Sequence, residues 1–192
     1  MEFKILGTGS ATPLPNRNPS AFLLNIENYS ILIDCGEGTQ ARLLEYKIKL
    51  GRIKHIFISH LHGDHYFGLI GLLSSYSLNG RTEPLTVFGP KGLDEIITLQ
   101  LKYSKSSLSY DLKFVQTNPT DPCSLYENDT FSVKTFPMKH RVDTTGFLFE
   151  KKRKKRKIIK EKLPSNFPIS YIKMLQDGKD IVDDLTGNTY TA

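Results

Sequence analysis

The sequence is poor in cysteine and has no long apolar segment. Its 192 residues include two cysteines, Cys35 and Cys123, too few for a disulfide framework, although a single bridge between them stays open. No apolar run reaches the roughly 18–20 residues that a membrane-spanning helix needs. No charged leader followed by a long apolar stretch is visible at the N-terminus either. We therefore expect a cytoplasmic protein that does not associate with a membrane.

Short apolar strands alternate with amphipathic helices over residues 1–149. The pattern predicts strands over 3–6, 21–26, 30–33, 56–58, 85–88, 112–115, 131–136 and 146–149, and helices over 36–46, 66–78 and 93–101. An alternation of this kind is typical of the α/β or α+β class. Residues 150–192 have few periodic apolar positions, and we expect them to form an extended arm and tail and not a second domain.

Three of the five histidines lie close together, directly after the apolar strand predicted over 56–58. His60 and His62, two apart in an extended turn, can direct both imidazoles to one point. Asp64 and His65 can direct their side chains to a second point a few ångströms away. Neutral imidazoles with a carboxylate suit zinc. Paired metals about 3.5–4 Å apart are a known arrangement for hydrolysing phosphate esters.

Isolated residues elsewhere in the chain extend this predicted site. His140 alone is more typical of a loop histidine, but with the first two histidines of the cluster it gives the three nitrogen ligands of an open catalytic zinc. Asp34 ends a predicted strand and can hold a ligand imidazole by its far N–H, or it can cap the next helix. We interpret His55 and Cys35 as packing residues.

Positive charge is concentrated in one segment. Residues 151–162 contain nine lysines and arginines and one glutamate, a net charge of +8, so the rest of the chain carries −2 of the total +6. Such a segment attracts phosphates independently of base sequence. It has no interleaved aromatic residues, which favours contact with the backbone over base stacking. A solvated surface run and a nuclear import signal are the alternatives.

Several motifs resemble the ribonuclease Z family of the metallo-β-lactamase superfamily, the endonucleases that mature tRNA 3′ ends. The string H-L-H-G-D-H at 60–65 is the superfamily signature. The resemblance to ribonuclease Z is carried by L-G-T-G-S at 6–10, D-C-G-E-G-T-Q at 34–40, H-Y-F-G-L-I-G-L-L at 65–73 and V-F-G-P-K-G at 87–92.

The resemblance implies a zinc-dependent endoribonuclease with an αββα sandwich that removes the 3′ trailer from precursor tRNA and leaves a 3′-hydroxyl. It implies that His60, His62 and His140 bind one zinc, that Asp64 and His65 bind another, and that Asp64 accepts the proton of the attacking water. It also implies a homodimer and an RNA-binding arm. The residues predicted to bind RNA are Lys151, Lys152, Arg153, Lys154, Lys155, Arg156 and Lys157.

The resemblance covers about the first two thirds of a family member. The family needs a bridging Asp in a Gly-Asp-Thr context and a further histidine, but no histidine follows His140, and Asp183 and Asp184 lack that context. The Gly-Pro element expected in the arm is replaced by Pro-Ile-Ser-Tyr at 168–171. We therefore expect a truncated form with an incomplete second half and second metal site, one tight zinc and reduced or no activity.

Two other functions stay open at this point. One is a different hydrolase of the same fold, acting on a thioester, a lactam or a small phosphodiester. The other is an RNA-binding remnant without catalytic activity.

Overall fold

The computed structural model describes residues 1–12, 14–153, 156–159, 161, 163–164, 166–183 and 187–191. The chain divides into two compact units, Met1–Lys151 and Lys152–Ala192. Within the described ranges, no helix combines the length and the apolar character needed to cross a membrane.

Six strands form the first sheet of the larger unit, and they lie side by side in chain order. They are β1 (Glu2–Gly7), β2 (Ala21–Ile26), β3 (Tyr29–Ile33), β4 (Ile53–Phe57), β5 (Leu85–Gly89) and β6 (Leu112–Gln116). The first three pair antiparallel and β3 to β6 pair parallel. The carboxyl ends of β3, β4 and β5 therefore meet at one edge of the sheet, the usual place of a binding site in such sheets.

Helices cover one face of this sheet. They are α1 (Thr39–Glu45), α2 (Gly63–Tyr66), α3 (Leu69–Leu78) and α4 (Leu93–Tyr103). The helix predicted over 66–78 begins later than expected, because a separate short helix ends before Gly68. Gly68 packs against the backbone of Gly36, and a Cβ there would come within 2.2 Å of the Gly36 carbonyl oxygen. This close approach joins the loop after β3 to the start of α3.

A second sheet packs on the other face. It contains β7 (Cys123–Glu127), β8 (Phe131–Pro137) and β9 (Thr145–Lys151). The space between the sheets is filled by buried apolar side chains, namely Leu24, Ile26, Ile31, Phe57, Phe88, Phe131 and Val133. The rings of Phe57 and Phe88 stack with centroids 4.4 Å apart. The larger unit therefore consists of a layer of helices, the first sheet and the second sheet, in that order, which confirms the predicted α/β class.

The smaller unit contains elements that the sequence patterns did not predict. Helix α5 (Ile169–Gln176) is followed by a short hairpin of β10 (Ile181–Val182) and β11 (Thr189–Tyr190). Leu175 and Ile181 are buried, and the ring of Phe167 contacts those of Tyr171 and Tyr190. These few apolar contacts hold the unit together.

Cys35 and His55 lie in the core, as expected. Both cysteines are free thiols, which settles the open question of a bridge. Burial raises the pKa of the Cys35 thiol to about 12, so it stays protonated and is a poor metal ligand at neutral pH. The His55 ring lies 4.7 Å from the Tyr126 ring. Burial, with a smaller effect of the Lys54 charge, lowers the pKa of His55 to about 4.

Candidate metal centre

The ends of β3 and β4 form the base of the candidate site. The backbone N–H of Asp34, just past β3, donates to the carbonyl oxygen of Phe57 at 2.8 Å, and the N–H of Ile58 donates to that of Phe88 at 2.8 Å. Ile58 is fully buried. The chain therefore leaves the sheet from a rigid position, and the histidine cluster begins two residues later at His60.

Three imidazoles converge above this edge. His62 Nδ1 lies 3.1 Å from His60 Nε2 and 3.1 Å from His140 Nε2, and the three nitrogens all lie within 4.8 Å of one another. Two nitrogens bound to one tetrahedral zinc at about 2.0–2.1 Å lie roughly 3.3 Å apart. His60 is buried and His140 is exposed, so the group opens towards solvent on one side. The structure thus brings together the three histidines that the sequence analysis assigned to one metal.

The hydrogen bonding of this group fits a cation. An imidazole nitrogen carries one proton or one lone pair, so His62 Nδ1 cannot satisfy both of its neighbours with linear hydrogen bonds. Burial, reinforced by the neighbouring imidazoles, lowers the pKa of His60 to about 4, which keeps its lone pair available at neutral pH. A metal ion among the three nitrogens would satisfy all of them at once.

Asp64 and His65 form a second, smaller donor pair on α2. His65 Nε2 lies 3.5 Å from Asp64 Oδ2, and the His65 ring centroid lies 3.9 Å from that of His60. Burial opposes a charge on His65, but the hydrogen bond to Asp34 and the charges of Asp34 and Asp64 outweigh it and raise its pKa. A cation on this pair must therefore displace a proton that His65 holds more firmly than an ordinary histidine does.

Asp34 is the buried anchor of the site. Its carboxylate accepts hydrogen bonds from Ser20 Oγ at 2.9 Å, from the backbone N–H of Ser59 at 2.9 Å and from His65 Nδ1 at 2.7 Å. Ser59 Oγ also lies 3.0 Å from His60 Nδ1. The contact with His65 agrees with the prediction that Asp34 holds an imidazole, whereas the two serines were not predicted, because no pattern links a single serine to a distant carboxylate.

The backbone of Asp34 allows this arrangement. Its φ of 55° lies in the left-handed region, which aspartate tolerates better than most residues. The alternative role as a helix cap is wrong, because α1 begins at Thr39 and its N-cap residue is Gly38.

The metal-binding candidates line one open cleft of about 640 Å³. Its wall is formed by Ser10, Ala11, His60, His62, Gly63, Asp64, His65, Met138, Lys139, His140, Arg141 and Thr144. His60, His62 and His140 all contribute to this wall, so the histidine cluster is open to the cleft.

The predicted RNA-binding segment is described in part. Lys151 ends β9, and its Nζ lies 3.1 Å from Glu27 Oε1, so its charge is partly neutralised. Arg153 and Lys157 are exposed. Lys154 and Lys155 lie outside the described residues.

Lys152 and Arg156 are the other described members of the segment. Lys152 is partly buried. The backbone N–H of Arg156 donates to the Gln176 carbonyl oxygen at 2.8 Å, and its guanidinium packs beside Gly178. Arg156 is therefore held at the end of α5, where a cation is favourable.

Comparison with known proteins places this site in a family. The family described as Anti-Pycsar protein Apyc1 matches residues 1–158. A protein named Ribonuclease Z from Cytophaga hutchinsonii is 46% identical over 183 residues, which cover 95% of this chain and 58% of that protein. This chain thus spans little more than half the length of that relative.

Solved structures show the same fold. The crystal structure of human tRNase Z, short form, aligns with a TM-score of 0.73 and 36% identity over 79% of this chain and 65% of that one. The metallo-beta-lactamase fold protein YhfI from Bacillus subtilis aligns with a TM-score of 0.59 and 22% identity, covering 77% of this chain and 56% of that one. The chain therefore belongs to the family described as Anti-Pycsar protein Apyc1, and it is a relative of ribonuclease Z with the metallo-β-lactamase fold.

Proposed function

We propose that this chain carries the metal-binding half of an endoribonuclease that removes the 3′ trailer from precursor tRNA. The observation that supports the proposal most directly is the convergence of the His60, His62 and His140 nitrogens beside the Asp64–His65 pair in one open cleft. The similarity to proteins named Ribonuclease Z and tRNase Z supports the choice of substrate.

The metal in this proposal is zinc. His60, His62 and His140 would hold one ion, and Asp64 and His65 would contribute to a second. When bound, zinc lowers the pKa of water to about 7 and offsets negative charge that develops on the phosphate. The second pair offers only two donors, so we expect one tightly held zinc per chain and a second that is held weakly.

In this proposal, Asp64 takes part in the hydrolysis and Asp34 orients His65. Asp64 Oδ2 accepts a proton from the attacking water while the water oxygen forms a bond to phosphorus. The bond from phosphorus to the upstream O3′ breaks, and this oxygen takes up a proton from solvent to become the 3′-hydroxyl of the tRNA, while Asp64 returns its proton to solvent. The phosphate stays on the 5′ end of the trailer. Asp34 keeps the Nδ1 proton of His65 in place, so that Nε2 faces Asp64.

The partners follow from the same proposal. The basic segment, with Arg153 and Lys157 exposed, binds the tRNA backbone through charge. The active form is a homodimer, which sedimentation velocity would test, and it acts in the cytoplasm.

Cleavage of a precursor tRNA with a labelled trailer tests the function. We expect zinc-dependent release of the trailer, slow compared with a longer ribonuclease Z, that stops with EDTA and with His62→Ala. His55→Phe is the matched control, because it also removes a histidine but one that packs against Phe88 and Tyr126. Undiminished cleavage by His62→Ala, or a chain that binds no zinc, contradicts the proposal.

A second candidate is hydrolysis of a small phosphodiester. It is supported by the same site, because a metal centre that hydrolyses phosphate esters does not by itself require an RNA substrate. Turnover of bis(p-nitrophenyl) phosphate without any preference for precursor tRNA would support it. Binding of tRNA that persists in EDTA, together with no hydrolysis of either substrate, would instead indicate a non-catalytic RNA-binding protein.

A further inference from the structure

The loop between β8 and β9 carries more than a metal ligand. His140 lies in this loop between two cationic residues, Lys139 and Arg141. The loop is closed on itself by a hydrogen bond from the Met138 N–H to the Thr144 carbonyl oxygen at 3.1 Å. Its end is tied to the metal centre by a bond from the Thr145 N–H to the Ser59 carbonyl oxygen at 3.0 Å. The backbone from which the two cations extend is therefore anchored beside the histidines.

Both cations face the cleft and neither is neutralised. Lys139 and Arg141 line the same cleft as the candidate metal ligands, both are exposed, and neither forms an ion pair with any residue that the structure describes. Asp64 is the single carboxylate among the described residues of the cleft wall. Asp143, two residues after Arg141, lines a different cavity.

This arrangement has no evident structural purpose. An exposed side chain without partners adds little to folding stability, and two like charges on one short loop repel each other. Placed beside a metal centre, however, they make the wall of the cleft positive. A guanidinium can bind one phosphate through two parallel hydrogen bonds, and an ammonium binds as a point charge.

We infer that Lys139 and Arg141 bind phosphates of the RNA strand next to the bond that is cleaved, and so position that bond over the histidine cluster. The inference rests on the proposed function, because it takes a strand with several phosphates as the substrate. It assigns the two residues to substrate binding in the cleft, separately from the basic segment at 151–157.

Equilibrium binding without metal tests this inference directly. A fluorescein-labelled, unstructured RNA of about 20 nucleotides is titrated in EDTA at several salt concentrations, using the unmodified chain, Lys139→Ala, Arg141→Ala, Arg141→Lys and Lys102→Ala. Lys102→Ala is the matched control, since Lys102 is an exposed cation on α4 outside the cleft. Circular dichroism shows that each variant is folded.

We expect each alanine variant in the cleft to lower RNA affinity roughly threefold to tenfold and to reduce the slope of log affinity against log salt by about 0.7, the value of one single-strand phosphate contact. Arg141→Lys should recover part of the affinity, because it keeps the charge and loses the paired hydrogen bonds. With zinc, Arg141→Ala should raise KM more for the RNA than for bis(p-nitrophenyl) phosphate, which has no neighbouring phosphate.

An alanine variant whose affinity and salt slope equal those of Lys102→Ala overturns the assignment of that residue. The test is independent of catalysis, because it is done in EDTA. Failure of the proposed function would appear elsewhere, as cleavage that His62→Ala does not diminish or as a chain that binds no zinc.

Discussion

Asp34 Oδ2 accepts a hydrogen bond from His65 Nδ1 at 2.7 Å, across 31 positions of sequence. The bond joins the end of β3 to α2 and determines which nitrogen of His65 faces the cleft. Because Asp34 is almost completely buried and also holds the Ser59 backbone, one carboxylate orients both parts of the candidate metal centre.

Replacing Asp34 by Asn should weaken metal binding. Asparagine tolerates the left-handed backbone found at this position, so the fold should persist. The amide carries no charge and cannot replace all three hydrogen bonds, and we expect a loss of roughly tenfold to a hundredfold in zinc affinity. Competition with a chromophoric chelator measures it. Asp94→Asn, an exposed change on α4, is the control, and equal affinities for the two variants would refute the role of Asp34.

Replacing Asp64 by Asn should separate chemistry from binding. The amide cannot accept the proton of water, so we expect single-turnover cleavage of precursor tRNA to fall by about 10²–10⁴. Affinity for tRNA in EDTA should not fall, because the change removes the one negative charge among the described residues of the cleft wall. A variant that retains most of its cleavage rate would show that another group accepts the proton.

Removing two exposed cations of the basic segment should weaken tRNA binding in a salt-dependent way. Arg153→Ala with Lys157→Ala takes away two charges, and each duplex phosphate contact contributes about 0.9 to the salt slope. We expect the slope to fall by about 1.8 in filter-binding titrations. The double variant Lys102→Ala with Lys105→Ala removes the same charge from α4 and the residues after it. If both double variants behave alike, the segment binds no specific phosphates.

His55 should make the fold sensitive to acid. Its pKa is about 4 in the folded chain, against an ordinary value of 6.5, so below pH 6.5 the unfolded chain binds protons that the folded chain does not. The free energy of unfolding is therefore unaffected by His55 above pH 6.5. It decreases as the pH falls towards 4, by about 2 kcal/mol between pH 7 and pH 5.

Urea unfolding at these two pH values measures that effect in metal-free protein. His55→Phe removes the titrating group and keeps an aromatic ring beside Tyr126 and Phe131, so its stability should fall less on acidification. His60, whose pKa is also lowered, contributes equally in both proteins. Identical pH dependence of the two would contradict the assignment.

Much of the larger unit could be predicted because its signals are local. The run Ile56 to Ile58 is apolar on both faces, and the structure buries all three side chains in or directly after a central strand. His60 and His62 are neighbours in sequence, so their convergence needs only a turn. Asp34 could be assigned because it ends a strand that had to lie beside the next one.

Other features depend on contacts between distant residues and left no local signal. β7 is short, and none of its residues is fully buried. In α5 only Leu175 is buried, so this helix contributes little to a core. The roles of Ser20 and Ser59 come from one shared carboxylate, and the position of Lys139 and Arg141 on the cleft wall follows from how the loop after β8 reaches the metal centre. Contacts of this kind cannot be predicted from the spacing of residues along the sequence.

Anomalous diffraction from zinc-soaked crystals, measured on both sides of the zinc absorption edge, tests the metal centre most directly. We expect one strong anomalous peak about 2.0–2.1 Å from His60 Nε2, His62 Nδ1 and His140 Nε2, and a weaker peak between His65 Nε2 and Asp64 Oδ2. A map without a peak among the three imidazoles, in crystals that bind zinc elsewhere, would contradict the central claim that these residues form a metal site.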